Sequence, residues 1–401
     1  MNRWPSGYGE GMRPLPPVVA AAVLSLSLLA APTAAPAAPD SAPDAAARPA
    51  HAKVPALKVR KLVKGLDLVW DVKSVGPGKL LFTQRDRATL SRYANGKVKR
   101  VKGFPSNRIW VSGETGLLGL EVDPDFATNG RVYTCQGWRR GGGHDVRVIA
   151  WTLDAKARNV TKKKVLVKGL PSTSGRHGGC RLLIDDAGSL VIGTGDAAVG
   201  TNPRDLDSLG GKTLRVNRTT GAPWPSNPYA GASTNRRYVH TFGHRNVQGL
   251  AERADGSLWS VEHGSYRDDE VNLLVNGGDY GWNPVPGYNE SVPMTDQNLP
   301  GDQVAAKWSS GEPTLATSGA TFVAGKEWGA LDGTLAVACL KASRALFLTF
   351  DASGNLVRQR VPAALSRYGR LRTFTQAPDG ALLVTTSNGG GNDVILRVTP
   401  K

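Results

Sequence analysis

Along most of the chain apolar and polar residues alternate with a period of two, and no stretch sustains a period of 3.6. Alternation of that kind turns one face of an extended strand toward a core, so the elements predicted are strands. One unit recurs: a turn with Gly, then a Leu or Val, then an alternating apolar strand. Its instances are Gly78-Lys79-Leu80, Gly130-Arg131-Val132, Gly188-Ser189-Leu190, Gly256-Ser257-Leu258, Gly333-Thr334-Leu335 and Gly380-Ala381-Leu382, at intervals of 52, 58, 68, 77 and 47 residues. A further strand ending in a turn follows, for example at 90–93, 148–153, 213–216 and 346–350, and the last, 394–398, closes the chain. Six units of roughly four strands predict an all-β, six-bladed β-propeller with four-stranded blades, which closes radially and so removes free sheet edges. A pair of β-sandwiches is the alternative. The uneven intervals imply insertions, chiefly in the fourth unit at 283–312. Ligands of propellers bind where loops converge on the central channel, which directs attention to the residues just after the innermost strands.

Composition sharpens this. With 48 Gly, 26 Pro and 7% aromatic residues in 401, the chain is turn-rich; collagen, coiled coil, a multi-span membrane protein and full disorder are excluded. The net charge of +17 is consistent with nucleic acid, an anionic surface or an anionic small molecule and selects none of them. No nucleic-acid-binding motif is present. At the N-terminus Arg3 and Arg13 precede an apolar run at 18–31, followed by Ala34, Ala35, Ala37 and Ala38. This is the pattern of a secretory signal over residues 1–38, with an Ala/Pro-rich linker at 39–55 and one propeller domain at 56–401. About 14 apolar residues are too few to span a bilayer, so no stable membrane insertion is expected and the mature protein is placed outside the cytoplasm. Export permits a disulfide. Cys135, at a strand end, and Cys180, in the next Gly-rich loop, are the expected pair, with Cys339 left over; three buried thiols are the alternative.

Polar residues concentrate in a few loops. His177 precedes Gly178-Gly179, and Asp196 ends Gly193-Thr194-Gly195-Asp196. The fourth unit opens Gly243-His244-Arg245-Asn246-Val247-Gln248-Gly249 and continues through Glu262-His263-Gly264, Asp268-Asp269-Glu270 and Gly277-Gly278-Asp279-Tyr280-Gly281-Trp282. Arg245, Lys341, Arg370 and Arg372 occupy equivalent points of three units and in a closed propeller face one axis. Four cations in one concavity call for a polyanion, a small polycarboxylate or phosphate, since guanidinium forks suit such groups; loop ends in solvent are the alternative. The acidic run beside a Gly-rich turn offers hard oxygen ligands suited to calcium, or is a solvated loop. His177 has the chemistry of a general base, or of a structural donor. No Gly-x-Ser-x-Gly elbow, Walker loop or His-Glu-x-x-His occurs.

The segment Gly113-Glu114-Thr115-Gly116-Leu117-Leu118-Gly119-Leu120 leading to Asp123-Pro124-Asp125-Phe126 resembles the entry motif of soluble PQQ-dependent sugar dehydrogenases, the glucose/sorbosone dehydrogenase family. The runs at 177–182, 210–215, 243–249 and 262–282 are similar in the same order, and the likeness extends from about Leu57 to the C-terminus. The resemblance implies a six-bladed propeller, PQQ and Ca2+ as cofactors, a small sugar as substrate and an external electron acceptor (quinone, cytochrome or dye). It implies that His177 is the catalytic base in oxidation of an aldose at its anomeric carbon to a lactone, with Arg245 beside the reactive carbonyls. Glu114, Arg245, Asn246, Lys341, Arg370 and Arg372 match cofactor contacts, and Asp196 matches a residue near the substrate. Gly264 and Ser265 match carbonyl ligands of a catalytic calcium, and Glu270 and Tyr280 a second, structural one. Glu114 stands where glucose-oxidising members carry Gln, and Glu312 where some carry an aromatic. The competing expectation is a catalytically silent propeller of the same ancestry binding a glycan or anionic polymer; a calcium-dependent lactonase, which needs a side-chain metal cluster on the axis, ranks below both.

Overall fold

The computed structural model describes residues 53–401, so the secretory signal and most of the linker expected from the sequence lie outside the described residues. Six four-stranded antiparallel sheets form the six blades of a β-propeller. Blade one runs Val69–Ser74, Leu80–Gln84, Thr89–Ala94 and Lys97–Arg100; blade two Leu117–Val122, Arg131–Arg140, Gly143–Leu153 and Val160–Leu170. Blade three comprises Arg181–Ile184, Ser189–Gly193, Lys212–Asn217 and Val239–Phe242. Blade four comprises Val247–Glu252, Leu258–Glu262, Glu270–Leu273 and the short Trp308–Ser309; blade five Thr317–Phe322, Leu335–Cys339, Arg344–Phe350 and Leu356–Arg360. Blade six takes Leu371–Gln376, Leu382–Thr386 and Asp393–Pro400 from the end of the chain and its outermost strand, Leu57–Leu66, from the beginning. The first strand of each blade lies against the first strand of the next, and blade six against blade one, so the ring is closed.

The recurring Gly-turn falls in every blade just before the second strand, and the reason it is legible is burial. Leu80–Gln84, Ser189–Gly193, Leu258–Glu262, Leu335–Cys339 and Leu382–Thr386 are buried at every position, because the second strand is covered by a blade on each side. Outer strands are covered on one side or neither; Lys97–Arg100 is exposed throughout. Large aromatics fill the wedges between blades, with Trp151 and Trp259 fully buried, and truncating either to Ala should cost about 3–5 kcal/mol. Cys135 and Cys180 form a disulfide that ties the second strand of blade two to the entry of blade three, while Cys339 is a buried free thiol. No helix among the described residues is long and apolar enough to cross a membrane.

Topology also corrects where the functional loops lie. The site residues come just before the innermost strands and just after the second strands, not just after the innermost ones. In an antiparallel blade the start of strand one and the end of strand two share a face, while the turns between strands one and two, and three and four, lie on the opposite face.

Candidate active site

An open cavity of about 220 Å³ on that upper face is lined by Glu114, Arg176, His177, Arg245, His263, Gly264, Ser265, Asp269, Thr314 and Ala316, from loops of blades two to five. His177 is 3% exposed and adopts a positive φ of 53°, a conformation that costs a non-Gly residue of order 1 kcal/mol and that its surroundings must enforce. The enforcement is visible. Its backbone N–H donates to Glu114 Oε2 at 3.0 Å, and its carbonyl lies so close to Gly195 that a Cβ there would sit 1.9 Å from the oxygen.

The imidazole is held by Asp196, which is fully buried. Asp196 Oδ1 lies 2.8 Å from His177 Nδ1 and accepts from the Ala198 N–H at 2.8 Å; Oδ2 accepts from Trp282 Nε1 at 2.9 Å and from the Tyr288 hydroxyl at 2.6 Å. A carboxylate already surrounded by donors accepts from Nδ1 as well. This assigns the ring hydrogen to Nδ1 and leaves the Nε2 lone pair, which has no partner among the described residues, on the free edge of a ring lining the cavity. Asp196 is thus placed behind the imidazole rather than on the cavity wall.

The Gly-His-Arg-Asn loop is set by another buried carboxylate. Glu262 takes His244 Nδ1 at 2.8 Å and Asn272 Nδ2 at 2.9 Å on Oε1, and the Arg245 N–H at 2.8 Å on Oε2, while His244 stacks on Tyr280 with ring centroids 4.4 Å apart. His244 is therefore scaffolding, and Arg245 is the side chain the loop delivers: 4% exposed, bonded to the His263 carbonyl at 3.3 Å, its Nε without a partner. Asn246 is fully buried; its Oδ1 accepts from the Gly179 N–H at 3.1 Å and its Nδ2 reaches Glu114 Oε2 at 3.3 Å. His263 is pushed well below its ordinary pKa by burial and by the nearby Arg372, Arg245 and His177, so it is neutral, with Nε2 unpartnered.

Of the other cations, Arg372 is 7% exposed, bonds Gln248 Oε1 at 2.8 Å and leaves Nε unpaired. Burial first, then Arg85 and Arg181, bring its pKa down to about 9. Beneath it Arg181 bonds Asp71 Oδ2 at 2.8 Å and stacks over Trp70, filling the channel with a buried ion pair between blades three and one. Lys341 is exposed and reaches the cavity wall through Thr314 Oγ1 at 3.2 Å. Arg370 is exposed at the entry of blade six, its backbone N–H held by Asn388. Of the four cations, Arg245 lines the cavity, Arg372 is buried in an innermost strand, Lys341 touches a lining threonine and Arg370 is exposed.

Gly264 and Ser265 line the cavity, and Gly264 sits in a turn so tight that a Cβ would lie 1.9 Å from the Arg267 carbonyl oxygen. Asp269 is spent on that turn, accepting from the N–H groups of Gly264, Leu315 and Thr317. Glu270 is buried, bonded to Thr295 and Asn272, and burial plus repulsion from Glu262 raises its pKa. The Tyr280 hydroxyl donates to the Leu273 carbonyl at 2.6 Å and accepts from the Val275 N–H at 2.9 Å. No cluster of three or more His, Cys, Asp or Glu side chains among the described residues is arranged to hold a metal. Glu312 is exposed.

Two residues bonded to the site come from the fourth-unit insertion and were not singled out from the sequence: Tyr288, whose hydroxyl donates to Asp196, and Glu290. Glu290 bridges Arg176, at 2.6 Å, and Arg245. Partial burial opposes its charge, but the two guanidiniums outweigh this and hold its carboxyl down to about 2. The 77-residue interval between the fourth and fifth Gly-turns marked the insertion, but no pattern within it marked these residues.

Residues 66–397 match the Glucose / Sorbosone dehydrogenase family. The chain belongs to that family. It is 28% identical over 311 residues to aldose sugar dehydrogenase YliI of Escherichia coli (strain K12), covering 75% of this chain and 81% of that protein. It is 29% identical over 243 residues to quinoprotein glucose dehydrogenase B of Acinetobacter calcoaceticus, covering 54% of this chain and 50% of that one. The fold superimposes on the PQQ-bound form of aldose sugar dehydrogenase from Streptomyces coelicolor with a TM-score of 0.73 at 28% identity, over 88% of this chain and 100% of that one.

Proposed function

We propose that the protein is an exported oxidoreductase, dependent on PQQ and calcium, that oxidises an aldose-type sugar at its anomeric carbon to the lactone and passes electrons to an external acceptor. The observation that carries this reading is an imidazole whose Nε2 is free among the described residues, backed by a buried carboxylate, together with the buried Arg245 and Arg372 guanidiniums, whose Nε groups lack acceptors among those residues. The residues fit an anionic cofactor. Buried N–H donors without partners cost about 1–3 kcal/mol each, and burial first, then Arg85 and Arg181, disfavour the charge of Arg372; a polycarboxylate relieves the unpaired donors and the repulsion. PQQ bound there supplies the hydride acceptor.

The protein's own residues then have distinct tasks. His177 takes the proton of the anomeric hydroxyl on Nε2, and Asp196 keeps the ring in the right tautomer and stabilises the positive charge it acquires. Tyr288 and Trp282 fix the carboxylate in turn. Arg245, Arg372, Lys341 and Arg370 would supply the positive field, while Glu114 and Asn246 set the polar edge beside His177. Gly264 and Ser265 would hold the catalytic calcium through backbone carbonyls, and Glu270 with the Tyr280 carbonyl a structural one, in keeping with the oxygen-only preference of that ion. Domain limits of 56–401 after a cleaved signal and linker complete the proposal.

The deciding experiment is a PQQ titration of the purified protein with calcium, read as a thermal shift, followed by dye reduction against a panel of aldoses. A rise in Tm with PQQ and turnover of at least one sugar are expected. No shift together with silence across the panel would remove the reading in favour of a silent binding propeller, for which the engagement of Arg245 by Glu290 is the favouring observation.

A further inference from the structure

On the opposite face, between blades one and two, lies a second concavity of about 490 Å³. Its charged lining residues are Lys79, Arg92, Lys97, Lys99, Lys156 and Arg158, with no Asp or Glu among them. They come from the first turn and third strand of blade one, its outermost strand, and the last turn of blade two. All of these are elements of the face away from His177. Period two explains why Lys97 and Lys99 face in while Val98 and Arg100 do not. Among the described residues no hydrogen bond or ion pair engages any of the six side chains. The acidic residue of the blade-two turn, Asp154, is occupied instead by the Arg158 backbone N–H and the Asn159 amide.

Lysines on an exposed edge strand ordinarily guard it against pairing with another sheet. That accounts for Lys97 and Lys99 but not for Lys79, Arg92, Lys156 and Arg158, which lie off the edge and line the same hollow. The sequence around it is one-signed: residues 92–102 and 155–170 together carry 11 Lys or Arg and no Asp or Glu. Six like charges held together repel unless an anion joins them.

We infer that this groove is a binding site for a linear polyanion of phosphate-like charge density, distinct from the upper cavity and independent of the reading given to it. Four of the six cations are Lys, point charges without the planar fork that reads one carboxylate or phosphate bidentately, so the groove responds to charge density along a chain rather than to a single group. A folded protein partner fits less well. The large apolar side chains exposed on these strands are Val98 and Val165, with no aromatic or Met of the kind that anchors protein interfaces.

The test uses the full chain and inorganic polyphosphate, with binding followed by fluorescence anisotropy between 50 and 300 mM salt. The affinity should fall with a log–log slope of about −4, roughly 0.7 for each of six neutralised charges. The triple variant Lys97→Glu, Lys99→Glu, Lys156→Glu should bind at least about tenfold more weakly. A triple variant with the same change in net charge on blades five and six, Lys58→Glu, Lys64→Glu, Lys326→Glu, should stay within about twofold of wild type. Equal weakening by both variants, a slope near zero, or tighter binding to an acidic globular protein than to the polymer would overturn the assignment. Thermal unfolding of each variant confirms that it is folded, and turnover of the PQQ-loaded protein, read in parallel, should not change.

Discussion

The substitution Asp196→Asn tests the core of the proposed chemistry, because it keeps the shape of the side chain and removes only its charge and half its accepting capacity. Both oxygens of Asp196 serve two donors. An amide nitrogen in place of Oδ2 would oppose the Trp282 N–H, which cannot reverse. In place of Oδ1 it would oppose the Ala198 N–H and force the His177 proton from Nδ1 to Nε2, the atom proposed to act as base. Either arrangement orphans a buried donor, at about 1–3 kcal/mol of stability. The larger effect is on rate. When His177 takes a proton, its new charge lies about 4 Å from the carboxylate charge, worth about 4 kcal/mol at an effective dielectric of 20. At 1.36 kcal/mol per decade this is about 10³ in kcat. The assay is dye reduction at saturating sugar after reconstitution with PQQ and calcium, with His177→Ala as the benchmark for complete loss of the base and PQQ affinity measured separately by fluorescence. The expected result is kcat down about 10³ with PQQ affinity within about threefold. A folded Asp196→Asn protein with kcat within tenfold of wild type, or a loss explained wholly by weaker PQQ binding, would refute the assignment.

Other consequences can be checked alongside. Chelation with EDTA should lower turnover by at least about tenfold, and Ca2+ but not the smaller, strictly octahedral Mg2+ should restore it; full activity in EDTA would reject the calcium assignment. Glu252 has its carboxyl raised to about 7, chiefly by burial and then by Asp186 and Asp185. A raised acid contributes stability that is complete below about 4.5 and is lost as pH rises through about 7. Glu252→Gln should therefore flatten the decline in Tm between pH 5 and 8 and exceed wild type at pH 8, by only about 1–2 °C because the group is partly exposed; parallel Tm profiles would contradict this. Replacing Cys135 and Cys180 by Ser should destabilise by about 4 kcal/mol on loop entropy for a 45-residue separation, measured by urea unfolding; a change below 1 kcal/mol would show that the unfolded chain is not constrained by the bond.

The fold could be read from the sequence because one element per blade is buried on both sides. A buried second strand must be apolar and must be entered through a tight turn, and this leaves a mark every 47 to 77 residues. The outermost strands leave none: Lys97–Arg100 is wholly exposed, and Trp308–Ser309 is two residues long. Nor does anything local in Leu57–Leu66 announce that it pairs with Asp393–Pro400, more than 300 residues away. The site divides in the same way. His177, Arg245, Glu114, Gly264 and Ser265 lie in Gly-rich loops whose composition sets them apart, and the structure gathers them in one cavity. Tyr288 and Glu290 lie in an irregular insertion with no period to read, and only the position of blade four brings them over Asp196 and Arg245. Equivalent sequence positions did not mean equal depth for the cations either. Arg372 sits within an innermost strand and is buried, whereas Lys341 and Arg370 lie one or two residues outside a strand and reach solvent.

Blade six has a temporal implication. Five blades are each cut from one continuous stretch of chain, so each can assemble from near neighbours while the polypeptide is still being made. The sixth needs Leu57–Leu66 as well as Asp393–Pro400, more than 300 residues apart, and Lys401 donates its N–H to the Ala56 carbonyl at 2.8 Å beside the seam. Until Asp393–Pro400 emerges, the sheet built on Leu371–Gln376 lacks its latch and the circle stays unsprung. A chain lacking Leu57–Leu66 or Asp393–Pro400 would therefore lose far more cooperativity than the few hydrogen bonds deleted, since every blade relies on two neighbours to hide its flanks.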